Sequence, residues 1–141
     1  MTDRYTDLVL DHFSNPRNAG VIENPDAHVR VGDPTCGDSM ELFVRVDDSL
    51  SVVTDVGYLV YGCPGAIATS SAASEMIKGK DFAYCLSLTD DDVIRALGGL
   101  PEGKRHCSLM ILVAIRAALK WIVDNCTVET IPAADGDWAD G

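Results

Sequence analysis

The chain has no Cys-x-x-Cys pair, no apolar run close to the roughly 20 residues a membrane span needs, and few basic residues. Each shortage removes a class of function. Lysine and arginine number 11 against 22 acidic residues, a formal net charge of -11 that repels phosphate backbones and anionic lipid. Nucleic acid and membrane surfaces are therefore poor partners, and a cationic protein is a better one. The opening MTDRYTDLVLDHF lacks the basic, apolar and small-residue layout of a secretory signal, which predicts a cytoplasmic protein. The five cysteines (Cys36, Cys63, Cys85, Cys107, Cys126) are odd in number and widely, irregularly spaced, unlike a secreted disulfide framework. In a reducing compartment they suggest metal or sulfur chemistry, or buried packing.

What is present suffices for one core. With 141 residues and 47% hydrophobic composition, the chain can build one compact domain but not two substantial ones. Tyr5, Leu8, Val9, His12 and Phe13 follow helical spacing, predicting a helix from Asp3 to Phe13 capped by Thr2. An extended, turn-rich arm follows to about Val31. Met40, Leu42, Val44 and Val46 alternate with Glu41, Phe43, Arg45 and Asp47, and a second strand-like run covers Val52 to Tyr61, so the two form a hairpin. CPGAIATSSAASEMIKGK reads as a closely packed helix with Pro64 in its first turn and a stop at Gly79. A short helix is predicted around Asp81 to Leu86. Another starts at the capping-box-like Thr89 and Asp92 and ends at Gly98-Gly99. A long apolar helix runs from Cys107 to about Asn125. The domain is predicted to occupy 1–126, and the acidic 127–141 to be a disordered tail. Helix, strands, then helices predict an α+β fold, a small mainly antiparallel sheet with helices on one face.

Three cysteines stand at element ends: Cys36 in the turn GDPTCGDSMEL, Cys63 at a strand-to-helix junction, and Cys107 beside His106 at a helix start. A thiol at a helix N-terminus meets unpaired N–H groups and the positive end of the dipole, which favours thiolate. Lys104 and Arg105 add positive charge beside Cys107. Thiolate ligates iron or zinc and attacks sulfur donors, so one environment suits either task. Singly, each has a plainer reading: cysteine packs well in cores, His106 suits a surface loop, and Asp38 suits a turn. Together, three cysteines, a histidine and an aspartate supply a tetrahedral zinc or iron site with one ligand to spare. Cys85, among the apolar neighbours of DFAYCLSL, reads as packing. Cys126 reads as structural or incidental, and Trp138 as part of a solvated tail.

In YTDLVLDHFSNPRNAG, GDPTCGDSMELFVRV, YGCPGAIATSSAASEMIKGK and LPEGKRHCSLM, the chain resembles the NifU/IscU iron-sulfur cluster scaffolds over roughly four fifths of its length. The resemblance implies a SufE/NifU-like fold with a three-stranded sheet and a scaffold without turnover chemistry of its own. Cys36, Cys63 and Cys107 would be the cluster and metal ligands, with Asp38 and His106 as exchangeable fourth positions. Cys107 would accept persulfide sulfur from a cysteine desulfurase, and Tyr5 resembles an aromatic linked with sulfide release and dimerisation. The implied cargo is a labile [2Fe-2S] cluster built from iron, sulfur and electrons by a ferredoxin-like or frataxin-like route, then passed to apo-protein acceptors. Zinc is a possible occupant of the same ligands in the isolated protein. A mixed ligand set suits a cluster that must leave.

The alternative is a zinc-dependent, SufU-like sulfur-transfer protein acting through Cys107. That branch typically carries an insertion before the last cysteine and a basic residue where His106 stands, and this chain has neither. Leu100-Pro101-Glu102-Gly103-Lys104 departs from the family's Leu-Pro-Pro-Val-Lys, which counts against an Hsp70-type chaperone partner. Leu112 and Val113, with Leu59 and Val60, replace residues that are often polar or acidic in the family. As exposed apolar clusters they predict a homo-oligomer, a dimer or trimer.

Overall fold

The computed structural model describes residues 5–33, 38–100 and 106–127. Its elements are α1 (Asp7–Ser14), β1 (Ala27–Asp33), β2 (Asp38–Val46), β3 (Val53–Tyr61), α2 (Pro64–Ile77), α3 (Phe82–Ser87), α4 (Asp90–Ala96) and α5 (His106–Thr127). The strands form one antiparallel sheet in the order β1-β2-β3. Alternation decides which face is buried: Val29 and Val31, Met40, Leu42 and Val44, and Val56 and Tyr58 all turn toward the helices. β1 lies in what the periodicity treated as an arm. Its short Ala27-Val29-Val31 alternation is a true strand, paired from Ala27↔Val44 to Asp33↔Asp38.

Between β2 and β3 a single side chain organises the turn. The Asp47 carboxylate accepts from the Ser51 N–H at 2.8 Å and the Val52 N–H at 3.0 Å, while Leu50 takes a φ of 58°. The backbone bond from Val52, then the Ser49 hydroxyl and the Ser51 N–H, pull the Asp47 carboxyl down to about 2.

The first helix starts later than its apolar spacing suggests. Tyr5 and Thr6 are not helical, and Thr6 is the N-cap, its hydroxyl accepting from the Val9 N–H at 3.1 Å. Thr2, the predicted cap, lies outside the described residues. Hydrophobic periodicity marks a face but does not locate a cap, and Thr6 takes the role because its side chain reaches the N–H of Val9.

α2 is buried along most of its length with small residues, including Ala66, Ala68, Thr69, Ser70, Ser71, Ala72, Ala73 and Ser74. That allows close approach: α1, α5 and β3 all pack against it. Asp81 caps α3, and Thr89 with Asp92 forms the expected capping box of α4. α5 packs against α2, β1 and β2. It supplies the fully buried Ile111, Leu112, Ile115 and Leu119, each contributing about 1.5–3 kcal/mol by burial. Leu112 is therefore core, 1% exposed, and not part of an exposed apolar cluster; Val113, Leu59 and Val60 are half-buried. Thr127 is still helical, and the expected disordered tail beyond it lies outside the described residues.

The arm between α1 and β1 crosses the sheet where a side chain is missing. The Gly20 N–H donates to the Tyr58 carbonyl at 2.8 Å, and a Cβ on Gly57 would collide with the Gly20 carbonyl and the Ile22 side chain. Gly57 thus leaves room for the arm. Arg45 donates to the Glu23 carbonyl, and the Asp26 carboxylate accepts from the Val46 N–H at 2.8 Å, fixing the arm's far end.

Candidate functional site

Cys63 occupies the junction where β3 becomes α2. It is the N-cap residue of α2, with extended backbone (φ −75°, ψ 167°), and its carbonyl accepts from the Ala66 N–H at 3.0 Å and the Ile67 N–H at 3.2 Å. Pro64 follows in the first turn, where its missing N–H costs no intrahelical bond. The half-buried Cys63 side chain makes no capping bond, and the first turn carries no acidic residue. The local field is that of a helix N-terminus, suited to negative charge.

Sheet register brings a second predicted segment to the same place. Asp33 pairs with Asp38 at the last rung of the β1–β2 ladder, the two residues that flank 34–37 in the sequence. Ser39 pairs with Tyr61, two residues before Cys63. The Asp38 end of β2 and the Cys63 junction therefore share one end of the sheet. Cys36 itself lies outside the described residues, as do the side chains of Asp38, His106 and Cys107. His106 and Cys107 open α5 in the backbone. Among the described residues, no group of three or more His, Cys, Asp and Glu could hold a metal ion.

Cys85 has the environment of a packing residue. It is 1% exposed, its Sγ lies 3.8 Å from the Ile77 carbonyl, and burial pushes its thiol up to about 11. That keeps it protonated and chemically quiet. Cys126 lies in the last turn of α5, and its side chain is outside the described residues.

Further along α2 a polar latch has no local signal in the sequence. His12 Nδ1 lies 2.7 Å from Ser71 Oγ, which also accepts from the Arg17 N–H at 2.9 Å. The Asn18 side-chain amide donates to Ser74 Oγ at 3.0 Å, and Ser74 donates to the Ser71 carbonyl at 2.7 Å. Ser71 and Ser74 of SSAAS thus anchor the NPRNAG arm to the helix that carries Cys63. Both motifs were visible, but only the fold shows that they meet.

Fold and junction define an α+β domain built around a strand-to-helix cysteine. The family model for the NifU-like N terminal domain matches residues 4–125, and the chain belongs to that family. It is 48% identical over 115 residues to the iron-sulfur cluster assembly scaffold protein IscU 1 of Archaeoglobus fulgidus, covering 82% of this chain and 74% of the relative. It is 43% identical over 120 residues to the IscU scaffold protein of Aquifex aeolicus, covering 85% and 76%. Among solved structures, the N-terminal NifU-like protein from Brucella abortus superposes with a TM-score of 0.69 at 23% identity, over 86% of this chain and 96% of that one. At that identity the likeness speaks for the fold alone.

Proposed function

We propose that the chain is a scaffold on which an iron-sulfur cluster is assembled and from which it is released. The observation that supports this reading is the register that brings the Asp38 end of β2, two residues after Cys36 in the sequence, to the sheet end where Cys63 caps α2. Membership of a family whose relatives are named as IscU scaffolds supports it. In this reading Cys36, Cys63 and Cys107 hold a [2Fe-2S] cargo, and Asp38 or His106 completes the set. Zinc is an alternative occupant of the same donors, all of which suit it.

Sulfur enters through Cys107. Its thiolate attacks the terminal sulfur of a persulfide on a cysteine desulfurase; a new S–S bond forms on Cys107, the donor's S–S bond breaks, and the desulfurase leaves as thiolate. Reduction of that sulfur to sulfide draws electrons from ferrous iron and from a ferredoxin-like donor, with frataxin-like assistance as a further route. The cluster then passes to apo-protein acceptors. Sulfur, iron and electrons all come from partners, so in this reading the chain acts as carrier rather than enzyme.

The net charge of -11 suits cationic partner surfaces, and no described helix is long and apolar enough to cross a membrane. Work in the cytoplasm is part of the proposal. A homo-oligomer would draw on Leu59, Val60 and Val113, since Leu112 is committed to the core. A dimer or trimer by light scattering is expected, and a monodisperse monomer at working concentration removes that part of the reading. The domain is assigned to 1–126, and the acidic segment after it to a tail.

Anaerobic incubation with ferrous iron, cysteine and a desulfurase tests the whole. A visible chromophore with matching iron and sulfide supports the scaffold. Tightly held zinc, no chromophore and faster desulfurase turnover would instead establish a SufU-like sulfur-transfer protein.

A further inference from the structure

We infer that Pro64 is a positioning residue for Cys63: it holds that cysteine in its N-cap conformation before any ligand arrives, so that the sulfur is a preformed donor. This rests on the reading of Cys63 as a donor proposed above, and on no other member of that set.

A helix N-cap is ordinarily fixed by its own side chain. A serine, threonine or aspartate accepts from an N–H of the first turn, as Thr6, Asp81 and Thr89 do at α1, α3 and α4. α2 departs from that pattern, because its N-cap is Cys63 and the side chain makes no capping bond. A sulfur committed to the cap would be lost to a metal or to sulfur exchange. Another group must therefore hold the junction.

The sheet does not reach far enough to do so. The last rung of the β2–β3 ladder is Ser39↔Tyr61, so Gly62 and Cys63 lie beyond it. Pro64 acts from the other side. Its ring crowds a helical conformation at the residue before it and confines Cys63 to extended backbone, where the observed φ of −75° and ψ of 167° lie. Extended backbone is also what an N-cap requires. The fixed φ of proline suits the first helical position, so the same ring that starts α2 keeps it from winding back through Cys63. Such winding would re-aim the Cys63 side chain. Behind the junction, Gly65 is buried and Ala66 and Ala68 have no exposed surface, so the helix start is itself anchored in the core.

Pro64→Ala and Pro64→Gly return conformational freedom to Cys63 in two steps and leave every donor in place. Backbone 15N relaxation and hydrogen exchange are measured on the metal-free full chain, and cobalt(II) affinity by thiolate-to-metal charge-transfer absorption. The Cys63 amide order parameter, near the ~0.85 of rigid backbone in the parent, should fall in Pro64→Ala and further in Pro64→Gly. Exchange at the Ala66 and Ile67 amides, which bond to the Cys63 carbonyl, should quicken about two- to fivefold in Pro64→Ala, and the cobalt dissociation constant should rise by a similar factor. Ser71→Ala weakens the same helix away from the junction and should leave Cys63 order and cobalt affinity at parental values. Parental order at Cys63 in both Pro64 variants overturns the inference, as does parental cobalt affinity where Cys63 has become mobile. An equal loss of cobalt affinity in Ser71→Ala also overturns it, by making general stability the cause. A parent that takes up no cobalt refutes the donor reading, and the order parameters still decide whether Pro64 holds Cys63.

Discussion

Ser71 Oγ lies 2.7 Å from Nδ1 of His12 and, on the same oxygen, 2.9 Å from the backbone nitrogen of Arg17. One hydroxyl, fully buried, holds both a helix and the arm that follows it against α2. Removing it strands the Arg17 N–H and the His12 ring. Ser71→Ala should therefore destabilise the fold by about 1–3 kcal/mol, seen as a lower urea midpoint at unchanged slope. An unchanged midpoint would show that water replaces the serine at no cost.

The burial of His12 makes stability depend on pH. Burial, with help from the neighbouring Arg17 charge, holds the His12 imidazole below its ordinary value of 6.5, and the opposing Glu75 and Asp11 charges do not reverse it. The unfolded chain therefore binds a proton at His12 before the folded one does. Stability from this group is complete above pH 6.5 and declines as pH falls from there through the lower folded value. The urea midpoint of the parent should drop across this interval more steeply than that of His12→Gln, which does not titrate. Parallel profiles would remove His12 as the cause.

Gly57 makes a steric prediction. Because the Gly20 carbonyl and Ile22 occupy the space of its Cβ, Gly57→Ala should cost about 1–3 kcal/mol through displacement of the arm. Hydrogen exchange at the Gly20 amide, bonded to Tyr58, should accelerate more than exchange in α5. A midpoint equal to the parent's would contradict the close crossing.

Cys85 provides an internal control. Its buried thiol, pushed up to about 11, should resist iodoacetamide at pH 8 until the protein is unfolded in urea. Rapid native-state labelling at Cys85 would place it nearer the surface than its surroundings allow.

Much of this architecture was legible in the residues. Alternation at Met40, Leu42 and Val44 marked β2, Pro64 and Gly79 bracketed α2, and Thr89 with Asp92 announced α4. Local signals sufficed there because the caps and faces are local. β1 is hard to tell from the arm in sequence because three small inward residues, Ala27, Val29 and Val31, follow a stretch dominated by turn formers. Leu112 looked like surface apolar material when weighed by substitution alone, yet α5 is wrapped by α2 and two strands. The tie between Thr6 and Leu97 spans 91 residues, and no periodicity carries a contact of that kind. Of the site, the Cys63 junction was legible from Gly62-Cys63-Pro64, but its shared sheet end with Asp38 follows from register alone.

The most direct test of the scaffold reading compares Cys63→Ala with Cys85→Ala under anaerobic assembly with ferrous iron, cysteine and a desulfurase, measuring bound iron, acid-labile sulfide and visible absorption per chain. The account predicts that Cys85→Ala assembles a cluster as the parent does, while Cys63→Ala, folded by circular dichroism, holds little iron or sulfide. Full cluster assembly in Cys63→Ala would contradict it.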